Sequence, residues 1–428
     1  MRNKHYFPGL ARIIAISAIF LAMIAPHAIA QQASVLYSFN TGGNVGYTPT
    51  GALISDAAGN LYGTTNRGGI YGGGTAFMLT RKAVVGWTET VLHEFGYGED
   101  GQGPIASLIF DASGNLYGVT KYGGAGKGGT AFELIPSASG EWKEIIIHNF
   151  DYDGNGGWSP AGNLVIDGAG NLYGTTFSGG NLAGCLGGGC GTVYELSPGS
   201  GGKWTETVLY AAPDAYHGPY PTGGLIFDAS DNLYGADLQE VFELTPSTGG
   251  AWTKTTLHTF TGSPDGYQPS GNLVFDAAGN LYGTTFTGGT GAGTACDGEG
   301  CGTVFELSPS AGGVWTETIL HSFSENGTDG YLTQEGVILG ANGTLYGTTP
   351  FGGDKANCGP EHACGIVFAM VPTTGSGWTE EILFNFSANG EGGLEPDAAL
   401  IFGPGGDLYS TTVFGGSNAV GTVFAIKP

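Results

Sequence analysis

Residues 276–285 read DAAGNLYGTT, and closely similar wording surrounds Leu61, Leu116, Leu172, Leu233, Leu345 and Leu408. An aspartate followed by small residues, a glycine and an asparagine is the chemistry of a tight hairpin reversal, with Gly279 supplying the positive φ. The Leu-Tyr-Gly-Thr-Thr that follows is rich in β-forming types. The phrase is therefore a turn leading into a strand, written seven times.

Outward from it, the tyrosine of each Leu-Tyr pair falls at 62, 117, 173, 234, 282, 346 and 409, so the unit is fixed while its loops vary in length. Each unit carries four strand-like phrases. In the fifth these are residues 271–276 (GNLVFD), 280–285 (NLYGTT), 302–307 (GTVFEL) and 315–323 (WTETILHSF). The last two alternate apolar and polar residues, as half-buried strands do. Residues 308–313 (SPSAGG) make the reversal between them, because their Pro and Gly cannot continue a strand. Four antiparallel strands per unit, seven units and no helical periodicity predict an all-β fold, a seven-bladed β-propeller of four-stranded antiparallel blades. A two-sheet sandwich would not explain the repeat, and a β-solenoid would need shorter, more uniform coils. A fourth-strand phrase at residues 34–39 (SVLYSF) precedes any first-strand phrase, and the last unit ends on its third, residues 421–426 (GTVFAI). The N-terminal strand is therefore expected to close the ring as the outer strand of the final blade, which removes free sheet edges.

The phrases GNLYGTT, GTVFEL and WTET-x-LHSF resemble the GloVer-type (Gloeo-Verruco) tandem repeat of secreted bacterial proteins, and are similar in phase to kelch and NHL propeller repeats. The resemblance spans residues 34–427. Unit four departs from it, with Gly235-Ala236-Asp237 in place of Gly-Thr-Thr and a short following loop. The resemblance implies a secreted β-propeller and carries over no catalytic residues.

The N-terminus reads as a secretory signal peptide over residues 1–30. Arg2, Lys4 and Arg12 precede an apolar run at 13–25, Pro26 breaks it, and Ala28-Ile29-Ala30 is a small-x-small cleavage pattern. The mature chain, 31–428, is expected to be one propeller domain in an extracellular or periplasmic location, with no membrane anchor at either end. Cleavage would remove three of 13 basic residues and none of 37 acids, leaving 10 against 37, a net charge near −27. Such a surface repels nucleic acid and anionic lipid. Charged residues are 12% and Gly 83 of 428, while 41% hydrophobic and 12% aromatic content is ample for a core.

The six cysteines lie in three close pairs, Cys185 and Cys190, Cys296 and Cys301, Cys358 and Cys364, each within a Gly-rich insertion between second and third strands. In an exported chain they read as local disulfides; zinc would need pairs from different blades to converge. Each link closes a short loop worth about 2 kcal/mol in the chain-entropy model, so it stiffens the loop and does not hold the ring. His93, His148, His258 and His321 share one repeat position with Tyr37, Tyr210 and Phe384, on the predicted outer strand, and read as structural. The Thr-Thr pairs and Asp56, Asp111, Asp167, Asp228 and Asp276 read likewise, the aspartates as turn residues.

Chemistry is sparser. Asp151, Asp153 and Asn155 begin a D-x-D-x-N-G calcium loop, but its twelfth position is Gly162, without the bidentate acid. An acidic turn is the competing reading, and no other cofactor is implied. Each unit has a Gly seven residues before its first-strand Leu or Val, followed by Tyr47, Gln102, Trp158, Pro219, Tyr267, Tyr331 or Leu394. These loops are expected on the face that carries the cysteines. There Tyr47, Trp158, Tyr267 and Tyr331 either receive an extracellular glycan or protein or pack against their own blades. Asp214 and His217 form a non-repeated acid–base pair on the same face. No G-x-S-x-G, H-E-x-x-H or phosphate loop occurs. The expected function is a non-catalytic binding or scaffold propeller; a carbohydrate-active enzyme with a channel-mouth site and a purely structural envelope protein are the alternatives.

Overall fold

The computed structural model describes residues 33–152, 156–182, 185, 188–213, 220–221, 223–296, 298–358, 364–375, 377–389 and 392–428. The expected signal peptide lies outside them, as do Asp153, Asn155, Asp214 and His217. Seven antiparallel sheets form a β-propeller, each ordered first to fourth strand. Unit one supplies Ile54–Ser55, Leu61–Thr65, Thr75–Arg81 and Trp87–Glu94. Most first strands pair over only two residues, shorter than the sequence phrases, whereas Gly266–Phe275 of unit five is continuous. Among the described residues helix is confined to Lys355–Cys358 and a 3-10 turn, Ser200–Gly202.

The repeated phrase has a physical role at each position. Asp276 accepts from the Ala278 and Asn280 amides at 2.8 and 2.9 Å, the Asn280 side chain at 2.8 Å and the Tyr282 hydroxyl at 3.2 Å. One carboxylate thus satisfies the turn and pins the strand after it. The Tyr282 ring meets Trp378 of the next blade edge-on at 5.9 Å, as Tyr62 meets Trp142. Gly283 has no room for a side chain, because a Cβ there would lie 2.6 Å from Phe305 Cζ. Thr284 Oγ1 donates to Glu335 O of the next unit at 2.9 Å, a tie repeated from Thr64 to Ala106 and from Thr348 to Ala398. Thr285 Oγ1 lies 2.9 Å from Thr303 Oγ1 and donates to Thr287 O at 2.9 Å, closing its own blade.

Seven hydrophobic clusters lie between blades, one per junction, including one that joins Phe39, Tyr409 and Val423 to Leu53, Phe77 and Trp87. That cluster closes the ring. Ser34–Ser38 pairs antiparallel with Thr422–Ile426, and the Tyr37 hydroxyl donates to Glu89 of blade one at 2.7 Å. The N-terminal strand therefore supplies the outer strand of blade seven, as the phase of the repeat requires.

Every outer strand also carries a register shift, such as Ala76/Phe77 against Val91 and His93. Side chains alternate faces along a regular strand, so Glu89 and His93 would share a face. The extra residue, Leu92, reverses the alternation. Glu89 faces the preceding blade, where Tyr37 meets it, and His93 faces the following one, where its Nε2 lies 3.4 Å from Glu144 Oε2. Each outer strand thereby reaches both neighbours.

Candidate binding site at the channel mouth

The segment leading into each first strand turns over the central channel. Its third residue is left-handed in all seven units: Thr48, Gly103, Ser159, Tyr220, Gln268, Leu332 and Glu395 have φ between 55° and 65°. This kink lets the amide reach the preceding blade while the carbonyl reaches its own. Gly103 N donates to Gly73 O at 2.8 Å, and Lys121 N donates to Gly103 O at 3.0 Å. In the cysteine-bearing units the acceptor is the second cysteine: Tyr220, Leu332 and Glu395 donate to the carbonyls of Cys190, Cys301 and Cys364. The pre-strand and cysteine loops thus share one face, as expected. All three local disulfides form, with Cα separations of 5.7, 5.2 and 5.8 Å, and no described cysteine is free.

At the centre of this face is a cavity of about 330 Å³. The residue five after the glycine that opens each pre-strand segment is small in six units, Gly51, Ala106, Gly162, Gly223, Gly271 and Ala398, because the next unit packs against it: a Cβ on Gly223 would lie 2.6 Å from Gly271 O. Unit six places Glu335 there instead, and Glu335 lines the cavity with Gln268, Gln334, Ile105, Leu238 and Phe286. Burial, with Asp397 nearby, pushes the Glu335 carboxyl up to about 8. Burial, reinforced by Glu395, pushes Asp397 up to about 7, and its Oδ1 is buried without a hydrogen-bond partner. Burial is the larger cause for both, and the neighbouring carboxylates add to it.

Tyr47, Trp158, Tyr267 and Tyr331 are half-buried, and none lines the cavity. Trp158 packs into the junction between blades two and three and meets the exposed Tyr152 edge-on at 4.6 Å. Tyr331 stacks on Phe351 of its own blade at 5.9 Å. A further pair, the exposed Phe177 stacked on the half-buried Tyr220 at 4.6 Å, bridges units three and four. Asp151 is exposed; its two partners in the calcium reading lie outside the described residues. Glu335, Asp397 and Gln268 escaped the sequence reading, although the acid at a Gly/Ala repeat position was a usable signal.

The histidines sit on outer strands away from this mouth, but they are not isolated. Each contacts the glutamate of the next blade: His93 with Glu144, His148 with Glu206, His258 with Glu317 and His321 with Glu380. Unit four has Lys254 at the glutamate position, paired with Glu240 at 2.6 Å and with the fully buried Asp237 at 3.6 Å.

The sequence model of the Gloeobacter/Verrucomicrobia repeat matches residues 24–240 and 184–355, more than half of the chain. The chain belongs to this repeat family. Among solved structures, this Gloeobacter/Verrucomicrobia repeat protein is similar to virginiamycin B lyase from Staphylococcus aureus, with 13% identity over 93% of this chain and 98% of that one, at a TM-score of 0.52. A streptogramin B lyase matches at 12% identity over 93% and 99%, with a TM-score of 0.51. A PL25 ulvan lyase matches at 10% over 92% and 96%, with a TM-score of 0.50. At these identities the likeness is one of fold. No curated protein matches the sequence. Three disulfides fit an oxidising compartment, and among the described residues no helix is long and apolar enough to cross a membrane.

Proposed function

We propose that this is an exported binding propeller that receives the polar, uncharged end of an extracellular glycan at the channel mouth. One observation carries the reading: polar and apolar side chains that differ from unit to unit converge on one cavity whose remaining wall is the small repeat-position residues, Gly51, Ala106, Gly162 and Gly271 among them. Amides from Gln268 and Gln334, the Glu335 carboxyl and apolar surface from Ile105, Leu238 and Phe286 are a lining suited to hydroxyl groups and sugar ring faces. Trp158 with Tyr152, and Phe177 with Tyr220, extend the surface outward for a longer chain. Calorimetric titration with a panel of neutral oligosaccharides is the test. Binding weakened by Gln268→Ala and Gln334→Ala supports the reading; a panel without binders, or binding indifferent to both, overturns it.

A second reading, a carbohydrate-active enzyme, is favoured by the raised carboxyls. Glu335 and Asp397 are both raised well above the usual carboxylate range, the direction a general acid needs. Solved structures similar in fold include an ulvan lyase, a polysaccharide lyase by its name. Chain shortening of a bound polysaccharide, abolished by Glu335→Gln with binding retained, would establish it.

A further inference from the structure

At three blade junctions the outer-strand histidine faces two carboxylates, an aspartate from the connecting loop and the next blade's glutamate. The groups are His93, Asp100 and Glu144; His258, Asp265 and Glu317; His321, Asp329 and Glu380. We propose that each binds a divalent transition ion of the Zn²⁺ type, so that the ring carries three equivalent metal staples between blades.

The spacing supports coordination. The histidine Nε2 lies 3.4 and 3.6 Å from its two carboxylates at the second site, and 3.4 and 3.7 Å at the third. These distances are long for hydrogen bonds; at the first site His93 Nε2 lies 3.1 Å from Asp100, within hydrogen-bond range, and 3.4 Å from Glu144, and at each site one N–H cannot serve two acceptors. They match the separation of neighbouring ligands around a tetrahedral ion with bonds of about 2.0–2.2 Å. The three ligand atoms of each group lie within 4.8 Å of one another.

Unmet polar atoms point the same way. The glutamate Oε1 is buried without a hydrogen-bond partner at all five junctions that carry it (Glu89, Glu144, Glu206, Glu317 and Glu380), and at the third site Asp329 Oδ1 is buried and unpartnered as well, on a side chain only 7% exposed. Two carboxylates against one imidazole leave negative charge to be compensated. The other junctions show the alternatives the chain uses. Between units three and four the ammonium of Lys254 supplies a cation to Asp237 and Glu240. Between seven and one a tyrosine hydroxyl meets the glutamate, and between six and seven Phe384 and Ala33 occupy the histidine and glutamate positions, leaving nothing to coordinate. Between units two and three His148 meets Glu206 with Gly156 at the aspartate position. Among the described residues, the junctions with His, Asp and Glu together have no lysine or arginine paired with their carboxylates. The histidines are 22% exposed, so an ion and a water ligand have access.

The test is zinc stoichiometry of the folded full chain, loaded with Zn²⁺, dialysed and measured by elemental mass spectrometry. Three ions per chain are expected, falling to two in His258→Ala and to one in His258→Ala combined with His93→Ala. Glu317→Gln, which keeps shape and removes charge, should lower the count by one where a histidine variant fails to fold. Zn²⁺ should also raise the melting temperature of the wild type more than that of each variant. Fewer than three ions in the wild type, or a count the variants leave unchanged, overturns the proposal.

Discussion

His93 Nε2 lies 3.4 Å from Glu144 Oε2 of the next blade, while Glu89, on the same strand as His93, meets Tyr37 of the preceding one. The extra residue in the outer strand is what turns these side chains to opposite neighbours. The ring is thus tied at its rim by outer-strand side chains, at its centre by threonine–carbonyl bonds, and between these by the junction cores.

Closure by the N-terminal strand is the first consequence. Phe39 is fully buried in the junction between blades seven and one. Phe39→Ala should destabilise by about 3–5 kcal/mol. Deleting residues 31–40 should lower the urea midpoint further by exposing the edge of Thr422–Ile426. A deletion that unfolds at the parent midpoint would refute the closure.

Lys254 gives a sharper test. Asp237 is fully buried, and burial pushes its carboxyl up while Lys254 counters it. Lys254→Met should cost about 3–5 kcal/mol by leaving a buried charge unpaired, and Lys254→Met with Asp237→Thr, the residue all six other units use, should recover much of it. A denaturant double-mutant cycle measures the coupling.

Acid should weaken the fold through the repeated turns. Partial burial pushes Asp56, Asp167, Asp228 and Asp276 upward, but hydrogen bonds from the turn asparagines and amides more than offset it, leaving all four depressed. A depressed carboxyl contributes stability above its unfolded value of about 3.9, lost as pH falls through the folded value. Unfolding free energy should therefore drop below about pH 4 through this group. Asp276→Asn should flatten that slope in urea titrations at pH 2.5–5; an unchanged slope contradicts the assignment.

The disulfides should prove local. Non-reducing peptide mapping should give Cys185–Cys190, Cys296–Cys301 and Cys358–Cys364, and reduction should leave far-ultraviolet circular dichroism intact, each link being worth about 2 kcal/mol. Because Cys190, Cys301 and Cys364 carbonyls anchor the next unit's kink, reduction should speed amide exchange at Tyr220, Leu332 and Glu395.

At the mouth, Gln334→Ala should weaken glycan binding about ten-fold with the melting temperature unchanged, since that side chain is exposed. Trp158→Ala should lower both stability and affinity, because its ring serves a junction core and borders the exposed Tyr152. Calorimetry and thermal melting separate the two effects.

The blade count, the four-strand unit, the N-terminal closure and the cysteine pairs were legible in the sequence because each is local or repeated. DAAGNLYGTT carries its own turn acceptor, strand and Thr ties, and copies of one unit must close on themselves. The sequence also placed the pre-strand and cysteine loops on one face from the phase alone. Tertiary structure decided what meets across junctions. His93 and Glu144 belong to different units, and period-two alternation would have turned Glu89 and His93 the same way. Only the bulge reverses it, and its place is set by how the outer strand wraps its blade. The cavity likewise depends on which side chains from separate units reach the axis, a matter of ring geometry that no single repeat encodes.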